Sequence, residues 1–140
     1  MSHKESSVDF DHVRKASRDV ARAEGLDLVV LFGSAGRDAR SAEDLDLAIR
    51  GPASPDLIHL TNRFSVVLGR SDVDLVDLRT ADPLLMRIVA EEGRLLYESD
   101  AGRFTRFASY AARRFFDTRK FRDMERQRIH DFLERAETRE

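Results

Sequence analysis

A chain of 140 residues with about two-fifths apolar content can build one core that removes about two-thirds of its unfolded surface from water, and is too short for two independent domains. Acidic and basic residues nearly cancel, 26 against 24, for a formal net charge of −2, so no global field draws the chain to nucleic acid or to a membrane. The absence of cysteine excludes disulfides, thiolate metal sites and thiol redox chemistry; with no apolar N-terminal segment and no stretch near the ~18 residues a bilayer requires, the chain reads as a soluble cytoplasmic protein.

Val8, Val13, Ala16, Val20 and Ala23 recur at helical spacing behind Ser7 or Asp9 as a cap, which predicts an opening amphipathic helix ended by Gly25. Leu26 to Phe32 is an almost unbroken apolar run stopped by Gly33, the pattern of a central strand covered on both faces. From Glu43 to Arg50 the residues alternate, with Leu45, Leu47 and Ile49 on one face and Asp44, Asp46 and Ala48 on the other, which makes a second strand. Ser54-Pro55 reads as an N-cap with proline in the first helical position, opening a helix to about Leu68 that Gly69 ends. Asp72 to Leu78 is a third strand, Asp82-Pro83 opens a helix to about Glu92 that Gly93 ends, and Arg94 to Tyr97 is a short edge strand.

Ser99 to about Ala136 reads as helix, with a break near Asp117-Thr118. The alternation of elements predicts an α/β (α+β) fold, a small mixed sheet packed with helices. Within a single domain, residues 1–98 are expected to form the core and 99–140 a helical extension. That extension carries Phe104, Phe107, Phe115, Phe121 and Phe132, more apolar surface than one small sheet needs, so part of it is expected to face a partner.

Asp44 and Asp46, two residues apart on a strand, share a face with Cα atoms about 6.6 Å apart, so both can reach one ion. A third carboxylate about 5 Å away would repel each of them by ~3 kcal/mol at an effective dielectric near 20, a cost that a cation offsets. Hard oxygen ligands beside phosphates suit Mg²⁺, and two such ions can activate an attacking hydroxyl while stabilising a leaving pyrophosphate. Gly33-Ser34 directly follows a buried strand, where the N–H groups of a tight turn and a hydroxyl can face a phosphate. Asp72 and Asp74 lie on one face of the third strand and Asp77 on the other, so only one of these faces can look toward the metals.

Leu31-Phe32-Gly33-Ser34 and Asp44-Leu45-Asp46-Leu47 resemble the signature of the DNA polymerase β-like nucleotidyltransferases. With Val73-Asp74-Leu75-Val76-Asp77-Leu78, Pro83-Leu84-Leu85 and Gly93-Arg94-Leu95-Leu96-Tyr97-Glu98, the chain resembles their minimal branch, the antitoxins paired with HEPN ribonuclease toxins. The resemblance covers about residues 8 to 125. It implies that Asp44, Asp46 and Asp74 are catalytic and hold Mg²⁺, with Asp74 helping to deprotonate the acceptor hydroxyl. It also implies that Gly33, Ser34 and Arg37 bind the nucleotide, with ATP as substrate. The loop from Ser34 to Asp44 is one residue shorter than is common in that family, which bears on the contacts of Arg37 and Arg40.

The implied function is transfer of AMP from ATP to a hydroxyl, a tyrosine, of a cognate HEPN toxin held in a hetero-oligomer. One alternative is an antitoxin that neutralises by binding alone. Another is a nucleotidyltransferase for small molecules of the aminoglycoside type, which the lack of a large second domain disfavours. His3, His12, His59 and His130 are scattered without ligand-like pairing, and the basic pairs Arg113-Arg114 and Arg119-Lys120, set among Phe115, Phe116 and Phe121, read as a protein interface rather than a nucleic-acid surface.

Overall fold

The structure is a computed structural model and describes residues 9–33 and 44–137. Helix α1 spans Phe10–Glu24 behind Asp9, whose carboxylate accepts from the N–H groups of Asp11 and His12 at 3.1 and 3.4 Å. The other candidate cap, Ser7, lies outside the described residues. Strands β1 (Leu28–Phe32) and β2 (Leu45–Arg50) form the antiparallel centre of a four-stranded sheet. Helix α2 (Leu57–Leu68) then leads to β3 (Val73–Asp77), and helix α3 (Pro83–Glu92) leads to β4 (Arg94–Glu98). Helix α4 (Arg103–Glu137) follows. The strand order is β3-β2-β1-β4, with β2 and β3 parallel and β4 antiparallel to β1, so the sheet is mixed as expected.

Alternation divides the core in two. Val29 and Leu31 of β1 and Leu45, Leu47 and Ile49 of β2 face α1 and α2, where they pack with Val13, Val20, Leu60 and Phe64. Leu28, Val30, Phe32 and Ala48 face the other way and pack with Met86 and Val89 of α3 and Phe107 and Ala111 of α4. The near-continuous apolar run of β1 is therefore explained by helices on both faces of a central strand.

Three sequence expectations are corrected. The cap of α2 is Asp56, whose carboxylate accepts from His59 N–H at 3.1 Å; Pro55 precedes the cap, and Ser54 plays no capping part. The last helix begins at Arg103 rather than Ser99, because Gly102 adopts a positive φ and Glu98 reaches forward to accept from Phe104 N–H at 2.9 Å. It also runs unbroken through Asp117-Thr118. The Thr118 hydroxyl donates to the carbonyls of Arg114 and Phe115 at 3.0 and 3.1 Å, so its competing hydrogen-bonding group is satisfied within the continuous helix.

At 35 residues α4 is about 52 Å long. Only its first turns are buried, through Phe107 and Ala111, and from Asp123 to Ala136 every residue is exposed, among them Met124, Ile129, Phe132 and Leu133. No helix among the described residues is long and apolar enough to cross a membrane.

Candidate active site

β2 begins immediately after Asp44, and the strict alternation behind it buries Leu45 and Leu47 while turning Asp44 and Asp46 to the α3/α4 side. The parallel pairing with β3 sets Asp46 opposite Asp74 and Ala48 opposite Val76. Strand alternation then puts Asp44, Asp46 and Asp74 on one face at one end of the sheet. Asp44 and Asp74 are exposed and Asp46 is half-buried. Burial, and after it the negative charges of Asp74 and Asp44, raise the Asp46 carboxyl above its ordinary value of 3.8.

The end of β1 closes the site from the other side. Phe32 pairs with Asp46, and Gly33 follows with φ +72. The left-handed backbone at Gly33 favours glycine, and a Cβ built there would push the Asp46 carboxylate aside. Ser34, Arg37 and Arg40 lie outside the described residues.

The three acids of the β3 segment have different surroundings. Asp72 shares the face of Asp74 but is held by Arg70, whose Nε lies 2.7 Å from Oδ1, and that hydrogen bond lowers the Asp72 carboxyl. Asp77 is buried on the opposite face, and its Oδ1 accepts from Arg79 N–H at 2.9 Å in the turn after the strand. Asp74 is thus the β3 acid that faces Asp46 without an ion-pair partner among the described residues. Sequence reasoning did not foresee the role of Arg70. Its position two residues before Asp72 was the available signal.

Among the described residues no group of three or more His, Asp or Glu side chains is drawn together closely enough to hold a metal ion. The three aspartates share a face, and Asp46 feels the negative charges of Asp74 and Asp44. What the arrangement offers chemically is a set of hard oxygen donors beside a glycine turn whose backbone can be approached closely.

A family model described as polymerase beta, nucleotidyltransferase, matches residues 14–102, a span that holds all four strands and the three aspartates. Several solved structures are similar over most of the chain. One is a toxin–antitoxin complex with AMP-PNP, whose matched chain is 26% identical, with 86% of this chain and 97% of that chain covered and a TM-score of 0.66. Another, from Shewanella oneidensis, is a tri-AMPylated HEPN toxin in complex with an MNT antitoxin; the match is 25% identical, covers 89% and 98% of the two chains and has a TM-score of 0.65. A MntA–HepT toxin–antitoxin structure matches at 25% identity with 86% and 96% coverage and a TM-score of 0.62. No curated protein matches the chain.

Proposed function

We propose that this chain, which belongs to the polymerase β nucleotidyltransferase family, is the antitoxin of a HEPN ribonuclease toxin and silences it by transferring AMP from ATP to a tyrosine hydroxyl. The observation that carries the proposal is the pairing of Asp46 with Asp74 on the face shared with Asp44, against Gly33 at φ +72. The similarity to toxin–antitoxin complexes, one with AMP-PNP and one with an AMPylated toxin, supports the choice of nucleotide and acceptor.

The donor set suits a divalent cation, since three hard carboxylates share one face and, after burial, the charges of Asp74 and Asp44 help raise the Asp46 carboxyl. Asp44, Asp46 and Asp74 would hold Mg²⁺, which when bound acidifies a hydroxyl and takes up phosphate charge. Gly33 leaves room for the triphosphate at its backbone, with Ser34 and Arg37 as further donors to it. The acceptor oxygen forms a bond to the α-phosphorus as the bond to the β-phosphate oxygen breaks, releasing pyrophosphate. Asp74 receives the acceptor's proton. The exposed aromatic stretch of α4, including Phe116, Phe121 and Phe132, is the surface we assign to the partner in a hetero-oligomer.

A second reading, neutralisation by binding alone, draws on the shortened Ser34–Asp44 loop and on the same exposed arm. Co-expression with a candidate HEPN toxin separates the two. Catalytic silencing requires that Asp46→Asn lose protection while still co-purifying with the toxin. Undiminished protection by that variant would establish steric cover instead.

A further inference from the structure

At the end of the sheet opposite the carboxylates, a cavity of about 290 Å³ is lined by Arg50, Arg79, Arg103, Arg106 and Tyr110 over buried Leu78, Met86 and Phe107. Arg50 ends β2 and pairs with Leu28, whereas Asp46 pairs with Phe32. The cavity therefore lies about 13 Å along the strand from Asp46, at 3.3 Å per residue. Arg103 and Arg106 are already matched. Arg103 meets Asp100 at 2.6 Å and Asp27 at 3.6 Å, and Arg106 meets Asp100 at 2.6 Å. The side chains of Arg50 and Arg79 have no hydrogen-bonding or ion-pair partner among the described residues.

Asp27 and Asp100 offset Arg103 and Arg106, no carboxylate lines the cavity, and Arg50 and Arg79 leave two positive charges in excess along its wall. A phosphate monoester, at about −1.5 to −2 near pH 7, matches that excess. A planar guanidinium pairs bidentately with its oxygens. Tyr110, 44% exposed on the cavity wall, supplies an aromatic ring and a hydroxyl there. The volume is near the lower end of small-molecule sites, which suits one mononucleotide and excludes a folded partner.

We propose that this cavity is a second ligand site, separate from the carboxylate site, that binds a free nucleoside monophosphate through Arg50 and Arg79 with its base against Tyr110. AMP is the probe. In EDTA, titration of the ¹⁵N-labelled full chain with AMP is expected to shift the amide signals of Leu78, Arg79, Phe107 and Tyr110. Adenosine and inorganic phosphate should each bind at least tenfold more weakly than AMP. Arg50→Ala/Arg79→Ala should weaken AMP at least tenfold. Both residues are exposed and their side chains unpaired among the described residues, so their removal leaves the core contacts in place, and Tyr110→Ala should weaken AMP by an independent route. Unshifted signals at these residues, equal binding of adenosine and AMP, or AMP binding unchanged in the Arg50→Ala/Arg79→Ala and Tyr110→Ala chains would overturn the proposal.

Discussion

Replacing Gly33 by alanine tests whether the glycine turn positions the carboxylates or merely ends a strand. At φ +72 an alanine costs about 1–2 kcal/mol in backbone strain. Its Cβ would also occupy the position of the Asp46 carboxylate, which must shift to make room. A displacement near 1 Å in a reacting constellation costs on the order of 100-fold in rate. Gly25 is the internal control, because its φ is +70 and a Cβ there meets nothing within 4 Å. Both Gly33→Ala and Gly25→Ala should therefore lower Tm by a comparable ~3–6 °C for a chain of this size. Only Gly33→Ala should lower nucleotidyl transfer, by about 100-fold. Thermal melts together with transfer rates from ATP decide it. If the two variants lose activity to the same extent, or if Gly33→Ala keeps full activity, the close approach of Asp46 has no functional weight.

Asp46→Asn should stabilise the fold at neutral pH, read as a rise in Tm, while abolishing transfer. The Asp46 carboxyl is raised above 3.8 in the folded chain, so the stability it contributes is present below that value and lost as pH rises through the raised one. The gain from asparagine should accordingly be full at pH 7 and vanish in melts below about pH 4. Asp74→Asn should abolish transfer with Tm nearly unchanged, whereas Asp77→Ala should cost about 1–2 kcal/mol in stability by freeing Arg79 N–H, with activity following only the folded fraction. Ser17 is fully buried in α1 and its hydroxyl has no partner among the described residues, so Ser17→Ala should raise Tm by roughly 3 °C in a thermal melt.

The sequence made the two central strands legible because both signals are local. Leu45, Leu47 and Ile49 alternate with Asp44, Asp46 and Ala48, and the run from Leu28 to Phe32 needs no partner to be read as doubly covered. Which of Asp72, Asp74 and Asp77 faces Asp46 without an ion pair depends on the parallel pairing of β3 on β2, a contact between segments more than twenty residues apart, and on the ion pair of Asp72 with Arg70. The helix starts at Asp56 and Arg103 were misplaced by two and four residues for a related reason. In each, rival polar side chains stood near the helix start, and only geometry shows which one reaches the free N–H. Nothing local announces the cavity of Arg50 and Arg79, since its walls come from two strand ends and two helices.

The most direct test of the account is incubation of the purified chain and a candidate HEPN toxin with α-labelled ATP and Mg²⁺, followed by measurement of label on the toxin. Label should appear on a toxin tyrosine with the wild-type chain and be absent with Asp44→Asn/Asp46→Asn. An unlabelled toxin with the wild-type chain, or equal labelling by the variant, would contradict it.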